Sequence, residues 1–323
     1  MDALAHLLDG PRARGAILLR ALLEPPWSIR LQDDSPLGLL TILRGTVWLT
    51  DDDAAPILLP AGTVIVVKNA DPVTIADDPA TRPQVVVHPG WRWTTPAGEE
   101  NSDYRNLGVR GWGNDPDGST AILLACYQVR GEISQRVLDA LPSYFLLPPG
   151  SWNDALVPVL VDEITADGPA QGAVLDRLFD LLLVSVIRDW FADPGSDAPG
   201  WFQAHTDPVV GRALRLLHER PAESWTIARI ATEIGVSRSA FARTFTDRIG
   251  VPPMTYLKQW RLSMAADLLL DPDRTLDAIA RRVGYSDGFA LSSVFKRERG
   301  VSPRTYRETA SRLAMQRTSS SSL

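Results

Sequence analysis

The chain has 323 residues, 45% of them hydrophobic and 22% charged, with a formal net charge of -6. Those values are ordinary for a globular protein and argue against disorder, and the length is too great for one core of usual size, so two domains are expected. One cysteine, Cys126, excludes an intrachain disulfide framework and a multi-cysteine metal cluster.

The first residues, MDALAHLLDG, lack the cationic start of a secretory signal. No apolar run approaches the roughly 20 residues a spanning helix needs, so the expected place is the cytoplasm, with no membrane contact. Residues 27–131 carry short runs of strand formers, WSIRLQ, LGLLTILRGTVWLT, PILLPAGTVIVVK, PQVVVHP and STAILLACYQV, broken by clusters such as DDDAAP and DDPATRP. Short strands with turn residues between them predict an antiparallel sandwich or barrel. Cys126 alternates with apolar neighbours and reads as a small hydrophobe; a redox role would need an intersubunit bridge or a sulfenic acid, because there is no second cysteine. Trp91, Trp93 and Trp112 flank the Gly- and Asp-rich residues 98–118, where they line a ligand pocket or pack a core beneath a covering loop.

Helical periodicity follows in DALVPVLVDEI and GAVLDRLFDLLLVSVIRDWF, which places Val174, Leu178, Leu181, Leu182, Ser185 and Trp190 near one stripe, widened by Leu175, Leu183 and Ile187. So apolar a helix is covered on more than one side, by the strands or by a second subunit. DPGSDAPGW, residues 193–201, has linker composition. Everything beyond reads as helical up to the serine-rich RTSSSSL, a frayed tail. Charge divides at the same place. The first 204 residues hold 14 Lys and Arg against 27 Asp and Glu, whereas the rest hold 19 against 12. A basic half joined to an acidic one suggests that only the former meets a polyanion.

The basic half repeats itself. Ile230, Ala231 and Gly235 recur as Ile279, Ala280 and Gly284, while Ala240, Phe245, Gly250, Val251, Pro253, Thr255 and Tyr256 recur as Ala290, Phe295, Gly300, Val301, Pro303, Thr305 and Tyr306. One inserted residue in the turn separates the two registers, so this is a duplicated structural unit. In each copy a threonine, Thr226 or Thr275, is placed to cap a first helix, and Gly235 or Gly284 to make a tight turn. Ser237 or Asp287 then caps a second helix whose buried face carries Phe241 and Phe245, or Leu291 and Phe295. Gly250 and Gly300 read as C-caps. The pattern is a helix-turn-helix, twice. Between the copies, PMTYLKQWRLSMAADLLL predicts one long helix, with Leu257, Trp260, Met264 and Leu268 at 3–4 spacing. Two heads reading successive major grooves must lie roughly 34 Å apart.

The solvent face of the upstream second helix offers Arg238, Ser239, Arg243 and Thr246 beside Ala242. Arginine grips guanine through O6 and N7. The downstream helix offers Gly288, Phe289, Ser292, Ser293, Lys296 and Arg297, with its cations toward the C-terminal end, where they suit phosphate contact better than base reading.

These motifs, above all VGYSDGFALSSVFKRERGVSPRTYR with AFARTF and VPPMTYLKQWRL, resemble the DNA-binding domain of the AraC/XylS regulators. The resemblance implies sequence-specific binding of double-stranded promoter DNA, with RNA polymerase as a further partner. Family base-contact positions fall on Ser239, Arg243, Gly288, Phe289 and Ser293; a polar residue is usual where Gly288 stands, and arginine is common where Ser293 stands. The first part, through LRGTVWL, LPAGTVIVV and PGWFQAHTDPVVGRAL, is similar to the cupin-like sensor of some of these regulators. That likeness implies a domain that senses a small-molecule or redox effector or forms a homodimer. Some related sensors use paired cysteines against oxidants.

The expected fold is therefore two-domain α+β: an N-terminal antiparallel cupin-like β-barrel with helices after it, then an all-α domain of two helix-turn-helix units joined by a long helix. Expected bounds are 1–192 for the sensor or dimerisation domain, 193–206 for the linker, 207–310 for the DNA-binding domain and 311–323 for a disordered tail. The rival reading is a metal-dependent cupin enzyme with an appended basic domain. Cupin enzymes converge several imidazoles on a metal. This chain has only His6, His88, His205 and His218, with no HxH pair, and Pro72-Val73 occupies the segment where related sensors often carry a histidine. No metal, no cofactor and no catalysis are expected, and His88 reads as a strand-end histidine. An architectural DNA binder with little sequence preference is the third reading.

Overall fold

The computed structural model describes residues 12–320, apart from 33–34, 52–54, 69–71, 89–91, 102, 109, 129–131, 167, 194 and 197. The chain divides into two compact units, one of residues 11–129 with 141–196, the other containing Arg130–Ala140 and Asp197–Leu323.

The first unit is mostly strands: β1 (Arg12–Leu23), β2 (Ser28–Leu31), β3 (Leu37–Arg44), β4 (Thr46–Asp51), β5 (Ile57–Pro60), β6 (Val64–Lys68), β7 (Val73–Ala76), β8 (Val85–His88), β9 (Arg92–Thr94), β10 (Arg105–Asn106), β11 (Gly111–Gly113), β12 (Thr120–Gln128) and β13 (Tyr144–Leu147). They form two sheets, one in the order β10-β11-β1-β12-β3-β6-β13 and one in the order β5-β4-β7-β2-β8-β9. The expected mostly-β unit is present; among the described residues neither sheet closes on itself, so they form two open sheets. Closure requires the outer strands to pair, and among the described residues β10, β13, β5 and β9 lie at the ends of their sheets. The pairing is not uniformly antiparallel either, since β1 with β11 and β2 with β8 run parallel. Alternating residues of the two sheets meet in one core, with Leu23, Ile42 and Ile122 from the larger sheet and Ile29, Ile75 and Val87 from the smaller. That is the packing of a sandwich.

Trp112 stacks on Trp93 with ring centroids 4.1 Å apart, and Tyr104 lies 5.0 Å from Trp112. All three rings pack into this core, so of the two readings offered for these tryptophans, packing fits Trp93 and Trp112; Trp91 lies outside the described residues. The Tyr104 hydroxyl donates to Gln84 Oε1 at 2.7 Å, and burial with two nearby aspartates pushes its pKa up to about 12.

In the same unit α2 (Leu156–Thr165) packs against α3 (Gln171–Ala192). The buried residues of α3 are Leu175, Phe179, Leu182, Leu183, Ser185, Val186, Ile187 and Phe191. Val174 and Leu181, expected on the buried stripe, are 42% and 53% exposed. The apolar circumference offers two stripes, and the one through Phe179 turns inward, where the Phe179 carbonyl accepts from the buried Tyr127 hydroxyl at 2.9 Å.

The second unit is helical: α1 (Glu132–Ala140), α4 (Gly200–Gln203), α5 (Val210–Glu219), α6 (Ile227–Ile234), α7 (Arg238–Ile249), α8 (Pro253–Leu269), α9 (Leu276–Val283), α10 (Gly288–Arg299) and α11 (Pro303–Ser320). Two cores lie along α8. Tyr256 and Leu257 join Leu214, Ile230, Phe241 and Phe245, whereas Leu262, Ala265, Ala266 and Leu269 join Ile279, Leu291 and Phe295. The long helix thus shifts its buried face halfway along, and the expected Met264 and Leu268 are only half-buried. At 1.5 Å per residue its 17 residues span about 25 Å. The backbone stays helical to Ser320, past the point where a tail was expected.

Candidate nucleic-acid interface

Each helix pair is built as its sequence dictates. Thr226 accepts from the Arg229 amide at 3.1 Å and Thr275 from the Ala278 amide at 3.2 Å, which starts α6 and α9. Ser237 accepts from Ala240 at 3.2 Å and Asp287 from Ala290 at 2.8 Å, which starts α7 and α10. Each such cap satisfies an amide that the first helical turn leaves unpaired. The Asp287 carboxyl is held below the usual carboxylate range by the Ala290 amide and then by the Ser286 hydroxyl. Gly235 and Gly284 turn the chain at φ of 79° and 87°. At Gly284 the space is closed as well, since an added Cβ would lie 2.8 Å from Ala222 Cα.

These caps and cores fix which side of α7 and α10 faces water. Phe241, Phe245, Leu291 and Phe295 are fully buried, which leaves Arg238, Ser239 and Arg243 exposed on α7 and Thr246 half-buried. Arg243 forms no ion pair or hydrogen bond among the described residues, whereas the Thr246 hydroxyl is spent on the Ala242 carbonyl at 2.8 Å. On α10, Phe289, Ser293, Lys296 and Arg297 are exposed and Ser292 is half-buried. These five residues line one open depression of about 450 Å³. Gly288 is buried instead; its amide donates to Asp277 Oδ1 at 2.7 Å, and a Cβ there would stand 3.0 Å from the same oxygen. The expected candidates therefore share the outer faces of two matching helices, except for Gly288, which is held against α9.

Several ion pairs behind this surface escaped the sequence reading. Arg299, in the last turn of α10, points inward and forks onto Glu132 of α1, its Nε donating to Oε1 at 3.0 Å and its Nη2 to Oε2. The buried Ser263 hydroxyl of α8 donates to Glu132 Oε2 at 3.2 Å, and the Glu132 amide donates to Asp267 Oδ1 at 2.6 Å. Lys258 pairs with Glu298 at 2.9 Å. Arg220 and Arg229 lie over the Trp225 ring, 4.9 and 4.5 Å from its centroid, and both pair with Glu223 and Glu233. Glu132 and Arg299 stand 167 residues apart, so no local pattern announces them.

In the strand unit, Cys126 is half-buried in β12 rather than fully enclosed, with its sulfur 3.9 Å from where a Gly38 Cβ would be. His88 ends β8 and its Nε2 bonds Thr94 Oγ1 at 2.8 Å. Among the described residues no three His, Cys, Asp or Glu side chains come together as a metal site. His6 lies outside the described residues.

Two helix-turn-helix pairs sharing one central helix, each presenting a polar or cationic face, define the class of helix-turn-helix proteins. The family profiles agree: one described as Cupin matches residues 2–192, and one described as Helix-turn-helix domain matches residues 230–309. The chain belongs to the AraC family, with an N-terminal cupin domain. It is 29% identical over 313 residues to an AraC-like transcription regulator from Streptomyces lividans, covering 95% of this chain and 98% of that one. It is 25% identical over 322 residues to RclR, named an RCS-specific HTH-type transcriptional activator, from Escherichia coli K12, with 97% and 100% covered. Among solved structures, the DNA-binding domain of AdpA, the global transcriptional factor, in complex with a target DNA is 29% identical, with 31% of this chain and 91% of that chain covered and a TM-score of 0.30.

Proposed function

We propose that the chain is a transcription regulator whose helical unit binds double-stranded promoter DNA by sequence, through α7 and α10 together. One observation carries this reading above the rest: two copies of one scaffold turn their unburied faces outward, and the first holds Arg243 exposed and unpaired among the described residues. An arginine so placed is available to bind guanine, at about 1–3 kcal/mol of discrimination for a bidentate pair. Arg238, Ser239 and Thr246 flank it; Phe289, Ser292, Ser293, Lys296 and Arg297 form the second surface, with Gly288 setting its backbone. Lys296 and Arg297 take phosphates. The cupin domain receives a small-molecule or redox effector or forms a homodimer, for which the exposed Val174 and Leu181 of α3 supply apolar surface. Such a regulator acts in the cytoplasm and engages RNA polymerase at the promoter. Among the described residues no helix is long and apolar enough to cross a membrane.

The test is Arg243→Ala in the full chain, titrated against a duplex recovered by selection from random sequence and against unselected DNA. The expected loss is about 1–3 kcal/mol on the selected duplex and little on the other. Equal weakening on both would remove Arg243 from base reading.

A further inference from the structure

The two outward faces are not chemically equivalent. In the duplicated register Ser239 of α7 corresponds to Phe289 of α10, and Arg243 corresponds to Ser293. The second helix therefore lacks the arginine and puts an aromatic ring where the first has a hydroxyl. That ring is 84% exposed, more than any other large apolar side chain among the described residues, the next being Leu181 at 53%. Its position follows from the local build. The Asp287 cap and the Gly288 amide, anchored on Asp277, fix the first turn of α10, and Phe289 is the next residue. Along the same face stand Ser292 and Ser293, one turn on, and then Lys296 and Arg297, two turns on. The face thus runs from apolar through hydroxyl to cationic, from the start of the helix to its end. In a helix lying in the major groove the N-terminal residues meet base edges. The C-terminal cations then fall to the phosphates.

We infer that Phe289 is a specificity-determining residue that reads the C5-methyl group of thymine, so that the DNA segment beneath α10 is selected by apolar contact where the segment beneath α7 is selected by hydrogen bonding to guanine. The inference rests on the DNA-binding reading above. Its chemistry is elementary: thymine is the base that offers a methyl group in the major groove, and a phenyl ring is a suitable partner for it. Ser292 and Ser293 hydroxyls tolerate either donors or acceptors beside it. The recognised site is therefore asymmetric, with guanine in one segment and thymine in the other.

Replacing thymine by deoxyuridine removes that methyl and little else. The probe is the duplex recovered with the full chain from a random-sequence selection, with each thymine replaced in turn and binding measured for the wild type, Phe289→Ala, Phe289→Leu and Phe289→Ser. The expected result is a loss of about four-fold at one or two positions in the segment under α10, the factor supplied by burying one methyl-sized group. With Phe289→Ala or Phe289→Ser that penalty falls below about two-fold, with Phe289→Leu part of it returns, and the penalties at other thymines stay as in the wild type. An exposed ring leaves the fold intact when removed, and unchanged thermal unfolding of each variant verifies this. Three results would overturn the inference and leave the regulator reading standing: selective binding with no deoxyuridine penalty under α10, equal weakening of thymine and deoxyuridine duplexes by Phe289→Ala, as a wedge between bases would give, or no change in affinity on losing the ring. A selection that enriches no sequence would overturn both readings together.

Discussion

Replacing Glu132 by alanine tests whether α1 is an integral part of the helical unit. The carboxylate accepts two hydrogen bonds from the Arg299 guanidinium and one from the Ser263 hydroxyl. Hydrogen bonds to charged groups contribute about 1.5–3 kcal/mol each when well enclosed. The pair is neither buried nor fully wet, its side chains being 26% and 23% exposed, so water recovers part of what Arg299 loses. Bidentate geometry and the enclosed serine argue for more than an ordinary surface pair, whose median is about 0–1 kcal/mol. The expected cost is about 1.5–2.5 kcal/mol, which lowers the melting temperature of the helical unit by roughly 3–10 °C for a unit of this size. Circular dichroism at 222 nm, with the two units' transitions resolved, measures the loss, and a cycle with Arg299→Ala isolates the coupling. The double variant should be less destabilised than the two single losses combined by at least about 1 kcal/mol, because the second removal strands no partner. A coupling below about 0.3 kcal/mol would refute the assignment of α1 to this unit through that pair.

Two further outcomes follow from the caps and turns. The Asp287 carboxyl is held below its ordinary value by the amide it caps, so its contribution is present above the ordinary carboxylate range and is lost as pH falls through the depressed value. Asp287→Asn, which keeps the cap without titrating, should flatten the fall in melting temperature between about pH 5 and pH 2; an identical acid slope would contradict the cap's role. Gly284→Ala forces a side chain into left-handed backbone and against Ala222, so it should cost more than the roughly 1–2 kcal/mol of the conformation alone, read by urea denaturation, whereas a neutral result would deny the close approach.

The helical unit was legible because its determinants are local. Caps at Thr226, Ser237, Thr275 and Asp287, turns at Gly235 and Gly284 and buried pairs such as Phe241 with Phe245 recur in one register, and each lands where the repeat puts it. The strand unit was legible only as strands. Which strands pair, and whether the sheets close, depends on contacts such as β1 with β12, about a hundred residues away in sequence, that alternation alone does not encode. On α3 the pattern gave much of the inward face, Leu175, Leu182, Leu183, Ser185 and Ile187, but also the exposed Val174 and Leu181, because apolarity alone does not separate them, and it missed Phe179, whose carbonyl accepts from Tyr127. On α10 the sequence put Phe289 on the outer face, where it stands, but not the inward turn of Arg299, which carries the same charge as Arg297 and differs only in facing Glu132.

The most direct measurement is selection of duplexes from a random-sequence pool by the full chain, followed by titration of the enriched sequence at several salt concentrations. Two reading helices on one polypeptide predict a bipartite motif with its two segments about 10 base pairs apart, and binding that weakens steeply as salt rises. Recovery of a pool no different from the input, or of a motif with a single short segment, would contradict it.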